Sequence, residues 1–365
     1  MRYALIIAGG SGTRLWPMST KQTPKQLIPF IDGRSLLQIA MDRLEGLLPR
    51  ERIYICASDA QKPAMLEHLS GFDEAQFIGE PVGRDTLNAV GLGTAVLTKQ
   101  DPRAVVAVFT ADHLIRPEAE FRQIVEHGYE LAEQREKVLV TFGIEPTHPA
   151  TGFGYLALGE PVAGHDAFTV DAFKEKPDAS TAERYVAAGS ERYLWNSGMF
   201  VWRGATLLGL IEKYEPENYA GIARCAAAWG EREWPRVVAE EYPKLKKISV
   251  DYAVMEPAAA DAEVAVAAAP MRLSWLDVGS WPSYAKTLAC DEAGNTAACD
   301  RRVMLDSKNT LVASSESGHL IATVGVEDLI VIHTAKATLI CRADQAERIK
   351  ALHQQVGEQF GDEHL

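Results

Sequence analysis

The feature that most constrains this chain is an alternation of two patterns. Short apolar runs, Tyr3 to Ala8, Ile53 to Ala57 and Val105 to Phe109, are separated by helical patterns such as the periodic stretch from Leu36 to Leu48. Such alternation marks βαβ units, so the first two-thirds of the chain is predicted to form an α/β layer structure, a mostly parallel sheet with helices on both faces. After the polar, glycine-containing segment Cys290 to Arg302 the character changes to brief β-rich runs, including Leu329 to Ile332 and Thr338 to Cys341. These predict a small β module. Asp344 as an N-cap and the stripe Ile349, Leu352, Val356 and Phe360 predict a terminal helix docked on it. The pattern change divides the chain into residues 1–289 and residues 290–365.

Composition narrows the function classes. With 365 residues and 47% hydrophobic content the chain has ample core without disulfide or metal staples. Thirty-seven Lys and Arg stand against 50 Asp and Glu, a net charge of −13, which argues against nucleic acid or an anionic lipid surface as partner. Any bound phosphate must be met by a local cluster of cations. Cys56, Cys225, Cys290, Cys299 and Cys341 are odd in number and form no CxxC pair, so neither a disulfide framework nor a structural zinc site is expected, and a reducing cytoplasm is. No run is long enough for a signal-peptide core or a membrane span.

The long segment after the first strand begins Gly9-Gly10-Ser11-Gly12-Thr13-Arg14-Leu15-Trp16-Pro17. Glycines directly after a parallel strand let backbone N–H groups approach a phosphate, because no side chain intervenes. A dinucleotide fingerprint would need glycine at Leu15, and a Walker A loop would need Gly-Lys-Ser/Thr after four intervening residues. Neither is present. What remains is Gly-Gly-x-Gly-Thr-Arg-Leu-x-Pro followed by Pro24-Lys25-Gln26-Leu27, which resembles the signature of the sugar-phosphate nucleotidyltransferases.

The resemblance narrows to the mannose-1-phosphate guanylyltransferases through Glu80-Pro-Val-Gly-Arg, Ala111-Asp112-His113, Thr151-Gly152-Phe153-Gly154-Tyr155, Glu175-Lys176-Pro177, Leu194-Trp195-Asn196-Ser197-Gly198-Met199-Phe200, Asp251-Tyr252-Ala253-Val254-Met255-Glu256 and Asp277-Val278-Gly279-Ser280-Trp281. The chain looks like the short form of that family, without the appended isomerase domain of longer relatives. The resemblance implies a Rossmann-like catalytic domain over 1–289 and a β-helix-like module over 290–365. It also implies transfer of GMP from GTP to mannose 1-phosphate with Mg²⁺ as cofactor.

By the same resemblance, Asp112 and Asp277 are magnesium ligands. Arg14, Lys25 and the backbone of Gly9, Gly10, Gly12 and Thr13 meet the triphosphate. Lys176 holds the sugar phosphate, and Glu175, Asn196 and Gly154 contact the hexose. Gly83, Asp85 and Thr86 lie near the nucleotide. The plainer readings are a turn or cap for each Asp and Asn and a solvated surface for each cation. His113 reads as structural or as a neighbour of the metal ligands. Trp195, Trp202 and Trp281 read as core or pocket wall, and Cys56 as a buried thiol. Where the family usually has Gly-Arg-Asn-Thr-Ala-Pro, this chain has Gly83-Arg84-Asp85-Thr86-Leu87-Asn88. Two readings of Asp85 stand: an acceptor-only group suited to the N1–H and amino donors of guanine, or a cap of the following helix.

Two other functions share these motifs. One keeps the chemistry with another hexose 1-phosphate or nucleoside triphosphate. The other is a non-catalytic regulator that binds sugar nucleotides, against which the joint presence of Arg14, Lys25, Asp112, Lys176 and Asp277 argues. The sequence allows a homodimer through the β module without requiring it.

Overall fold

The computed structural model describes residues 1–10 and 12–365; Ser11 of the glycine loop lies outside the described residues. The chain divides into two compact units, one of residues 1–9, 40–111 and 115–275 and the other of residues 10–39, 112–114 and 276–365.

The strands of the first two-thirds are β1 (Arg2–Ile7), β2 (Ile53–Ser58), β3 (Phe77–Glu80), β4 (Val105–Thr110), β5 (His113–Arg116), β6 (Val138–Ile144), β7 (Tyr155–Pro161), β8 (Phe168–Lys174), β9 (Tyr193–Arg203), β10 (Ala265–Pro270) and β11 (Ser274–Asp277). Nine of them form one sheet in the first unit, in the order β3-β2-β1-β4-β9-β6-β10-β8-β7. Strands β1 to β4, β6 and β10 run in one direction, as the predicted mostly parallel sheet requires. Strand β9 is inserted antiparallel to both β4 and β6, and β8 runs antiparallel to β10. The central strands are apolar on both faces: Val106, Ala107, Val108 and Phe109 of β4 are all buried, as expected of strands sandwiched between helices. The helix Glu118–Gln134 buries Phe121, Val125, Tyr129 and Leu131 and leaves its acidic residues outside, a stripe with the 3.6-residue period.

In the second unit, strands β12 (Thr296–Ala298), β13 (Arg301–Leu305), β14 (Leu311–Ser314), β15 (Leu320–Val324), β16 (Leu329–His333) and β17 (Thr338–Arg342) build two small sheets. The pairs β12/β14, β14/β16 and β13/β15 are all parallel and in sequence order, so the chain coils through successive rungs, and antiparallel β17 closes the stack. This is the β-helix-like module. Its inner residues Leu311, Ile330, Ile332 and Leu339 share one core with Leu15, Trp16, Ile28, Phe30, Trp281 and Tyr284. The Trp281 indole N–H donates to the Trp16 carbonyl at 3.0 Å.

The terminal helix runs Ile349–Phe360. Of the predicted stripe, Ile349 is buried and Val356 packs on the core, but Leu352 is exposed and Phe360 is 61% exposed. Asp344 does not cap it: a 3₁₀ segment, Ala343–Arg348, precedes the helix, and the Asp344 carboxylate accepts from the Arg342 guanidinium. The far end is tied back instead by the segment that follows it, where the Trp16 indole N–H donates to the His364 carbonyl at 2.7 Å. Among the described residues no helix is long and apolar enough to cross a membrane, and the five cysteines form no disulfide.

Candidate functional site

The second unit gathers the residues read from the sequence as phosphate- and metal-binding. Gly12 caps the first turn after the loop with φ 59, and a Cβ there would meet the Ser19 hydroxyl at 2.3 Å, so only glycine fits. Thr13 to Leu15 form that 3₁₀ turn, which places Arg14. Lys25 lies on a second such turn, Lys25–Leu27, and is buried. Its Nζ donates to Asp112 Oδ2 at 2.6 Å. Asp112 directly precedes β5 and Asp277 closes β11, and the Val278 N–H donates to the Asp112 carbonyl at 3.0 Å. Arg14 is held by Glu347, with Nη1 to Oε1 at 3.1 Å, and a Cβ on Gly279 would stand 3.1 Å from Asp277 Oδ1 and 3.3 Å from Arg14 Nη2.

The electrostatics of this cluster follow from burial and crowding. Burial alone would raise the Asp112 carboxyl, but Lys25 and His113 hold it well below the usual range. Burial and then the charge of Asp112 push Asp277 up to about 6. Burial would lower the Lys25 ammonium, yet Asp112 and Asp277 together raise it. Ligand atoms of Asp112, His113 and Asp277 lie within 4.8 Å of one another, and Asp277 Oδ1 is buried with no hydrogen-bond partner. Two crowded carboxylates, one with an orphaned oxygen, are a donor set that suits a hard divalent cation. His113, read from the sequence as structural or as a neighbour of the metal ligands, lies within the same 4.8 Å cluster.

The first unit gathers the residues read as sugar-binding. Gly154 precedes β7, Glu175 and Lys176 follow β8, and Asn196 lies on β9. The pairings Tyr155 to Lys174 and Tyr155 to Trp195 set these three strand segments side by side. A Cβ on Gly154 would meet Glu175 Oε2 at 2.6 Å and Asn196 Cβ at 3.4 Å. Lys176 pairs with Glu175 at 2.8 Å and adopts φ 44, a left-handed conformation that costs a residue with a Cβ on the order of 1 kcal/mol. Asn196 Oδ1 accepts from the Thr141 hydroxyl at 2.8 Å, and its Nδ2 donates to Asp251 Oδ1 at 2.9 Å. The pairing of β6 with β9 shifts register between Thr141 and Gly143, a bulge that turns the Thr141 hydroxyl and the amide toward each other.

The third predicted group lies at the start of the helix Thr86–Gln100. Of the two readings of Asp85, the structure realises the cap: its carboxylate accepts from the Thr86 N–H at 2.8 Å. The Thr86 hydroxyl accepts from the Val250 N–H at 3.0 Å, and Gly83 is exposed. Asn88, another departure from the family pattern, is buried and structural. It donates to the carbonyls of Arg84 and Lys246 and accepts from Asn218. Gly9, which ends the first unit's opening segment, sits near Glu80, whose Oε2 would be 3.8 Å from a Cβ there. Gly10, at φ 102, opens the second unit.

Two acids escaped assignment in the sequence. Glu80, at the carboxyl end of β3, is buried and accepts from the Tyr242 hydroxyl at 2.5 Å; burial, only partly offset by that bond, pushes it up to about 7. Asp251 opens a π-helical turn, Asp251–Met255. Both sat inside matched motifs, which was the available signal. Trp195, Trp202, Trp281 and Cys56 are buried, as expected.

The mostly parallel sheet with helices on both faces in the first unit, and the glycine loop with its buried lysine and crowded carboxylates in the second, define an α/β protein of the kind that binds ligands at strand ends and loops. Residues 3–293 match the family described as Nucleotidyl transferase, and the chain belongs to that family. Residues 300–356 match the MannoseP isomerase/GMP-like beta-helix domain. Mannose-1-phosphate guanylyltransferase of Escherichia coli (strain K12) is 36% identical over 370 residues, covering 99% of this chain and 75% of that protein. Xanthan biosynthesis protein XanB of Xanthomonas campestris pv. campestris (strain B100) is 37% identical over 358 residues, covering 96% and 72%. A crystal structure of mannose-1-phosphate geranyltransferase, so named, from Thermus thermophilus superposes with a TM-score of 0.84 at 30% identity, covering 97% of this chain and 99% of that one. The resemblance read from the motifs is borne out.

Proposed function

We propose that this chain transfers GMP from GTP to α-D-mannose 1-phosphate, giving GDP-mannose and pyrophosphate. The observation that carries the reading is the cluster of Lys25, Asp112 and Asp277, in a chain of the nucleotidyl transferase family whose relatives include proteins named for this activity. A phosphate oxygen of mannose 1-phosphate attacks the α-phosphorus of GTP. The new O–P bond forms as the bond to the β-phosphate bridging oxygen breaks, and pyrophosphate leaves with that electron pair. The attacking phosphate is already ionised, so no general base is required, and rate comes from positioning and charge stabilisation.

Lys25 and Arg14 meet the triphosphate, Lys as a point charge and Arg with paired donors. The N–H groups of Gly9, Gly10, Gly12 and Thr13 cradle it. Lys176 meets the sugar phosphate, Glu175 accepts from hexose hydroxyls, and Gly154 leaves the hexose access to backbone. Asp112 and Asp277 would hold Mg²⁺, which when bound neutralises phosphate charge. A guanine-selective site needs acceptors, and the Asp85 carboxylate, which keeps a second oxygen beside the one that accepts from the Thr86 N–H, suits that task, with Glu80 at the end of β3 as a further candidate.

The matched spans 3–293 and 300–356 support a catalytic domain over 1–289 and a C-terminal module over 290–365. Cysteines without disulfides fit a cytoplasmic enzyme. The exposed face of β13 and β15, formed by Val303, Leu305, Leu320 and Val324, supports a homodimer. Steady-state pyrophosphate release with a panel of hexose 1-phosphates and nucleoside triphosphates tests the reading. The pair GTP and mannose 1-phosphate should have the highest kcat/KM, and turnover with none of the panel would refute it.

A further inference from the structure

We infer that Asp251 is a hexose-reading residue, which with Glu175 supplies two carboxyl acceptors for neighbouring hydroxyls of the acceptor sugar, while Asn196 acts as the strut that positions it. The inference rests on the functional reading above and assigns a substrate contact to a residue outside the set read from the sequence.

The argument begins with the capacity of Asn196. A side-chain amide has two acceptor lone pairs and two N–H donors. Here the oxygen accepts from the Thr141 hydroxyl at 2.8 Å and the Gly198 N–H at 3.3 Å, and one N–H goes to Asp251 Oδ1 at 2.9 Å. Its backbone N–H donates to the Gly154 carbonyl at 2.8 Å. Both acceptor positions of its oxygen are thus filled by protein, and of the side chain's polar capacity one amide N–H remains. Asn196 is therefore built as a support, and what it supports is Asp251.

Asp251 has the opposite economy. It shares the cluster with Glu175 and Lys176, yet the Lys176 ammonium pairs with Glu175, and among the described residues Asp251 has no ion pair of its own. Burial and then the neighbouring Glu175 charge push its carboxyl up to about 7. Placing a second acid beside a buried one costs folding stability, and a ligand that donates to both offsets that cost in the complex. The π-helical turn that starts at Asp251 is a further feature of the kind that recurs at functional sites. Vicinal hydroxyls, each donating to one carboxyl, satisfy both acids at once, and their stereochemistry decides which epimer does so. Gly154, where a Cβ would strike Glu175 at 2.6 Å, keeps the neighbouring acid free to face the ligand.

The test uses the full chain with Asp251→Asn, Asp251→Ala, Asn196→Ala and the Asn196→Ala/Asp251→Asn double variant. Asp251→Asn keeps an oxygen for the Asn196 amide and replaces the second acceptor with a donor. It should raise KM for mannose 1-phosphate by about tenfold, the cost of leaving one hydroxyl without its acceptor, leave KM for GTP unchanged, and shrink the preference for mannose over glucose 1-phosphate. As a strut, Asn196→Ala should reproduce that shift, and the double variant should be no worse than either single one. An active Asp251→Asn enzyme with unaltered KM and epimer preference would overturn the inference, as would additive effects in the double variant. Failure of both Asp251 variants to fold would also overturn it, by showing a structural role. A folded wild type that ignores mannose 1-phosphate would instead sink the functional reading, and the same variants would then be read with the hexose 1-phosphate it does accept.

Discussion

Replacing Glu80 by Gln should make the protein more stable above neutral pH and a poorer enzyme with GTP. Burial raises the Glu80 carboxyl from its ordinary 4.5 to about 7, with the Tyr242 hydroxyl opposing and Asp85 reinforcing the change. An unfolded chain loses this proton near pH 4.5, whereas the native protein keeps it until near pH 7. Over that interval the unfolded state binds fewer protons, so stability falls as pH rises and levels off above about 7. An interval of about 2.5 pH at 1.36 kcal/mol per pH comes to roughly 3 kcal/mol. Gln retains an oxygen for the Tyr242 hydroxyl and carries no charge. Urea unfolding of wild type and Glu80→Gln should therefore coincide near pH 4.5 and diverge to about 3 kcal/mol above pH 7. A difference that stays constant across this range would refute the reasoning. If Glu80 also accepts from guanine, kcat/KM for GTP should fall in the variant, and an unchanged value would remove it from base recognition.

Lys25→Ala should lower kcat by on the order of 100-fold, as loss of one preorganised donor to a developing charge does, and a change confined to KM would show uniform ground-state binding instead. Magnesium should raise the melting temperature of the wild type but not of Asp277→Asn, whose activity should be largely lost; an equal shift in both would place the ion elsewhere. Lys176→Ala should raise KM for mannose 1-phosphate, and a rise confined to GTP would reverse the assignment of the two lysines. Glu347→Gln releases Arg14 from an exposed ion pair worth no more than about 1 kcal/mol, so KM for GTP should fall by less than about fivefold, and a larger effect would mean that Glu347 holds Arg14 away from substrate.

The parallel strands were legible because β1, β2 and β4 are continuous apolar runs bounded by turn residues. The reversal of β9 was not, since a run buried on both faces carries no mark of direction. The glycine loop was legible through Gly12 and Arg14, and the motifs that pointed to Lys25, Asp112 and Asp277 lie far apart in the chain, whereas the structure sets the three side chains in one cluster. Glu80 and Asp251 were hidden for one reason: what singles them out is burial and partners distant in sequence, Tyr242 for the one and Asn196 with Glu175 for the other. Asp85 could be a cap or a base reader on sequence alone, and its bond to the Thr86 N–H, which shows the cap, is visible only in the structure. The shared core of Leu15 and Trp16 with Leu311 and Ile330 likewise joins segments that no local pattern connects.

The most direct test of the central claim follows atoms from substrate to product. Mannose 1-phosphate carrying heavy oxygen in its phosphate is incubated with GTP, Mg²⁺ and the enzyme, and the products are weighed by mass spectrometry. Attack by the sugar phosphate on the α-phosphorus predicts GDP-mannose with all of the label in its mannose-linked phosphate, together with unlabelled pyrophosphate. Label in pyrophosphate, or no GDP-mannose from a folded enzyme, would contradict the account.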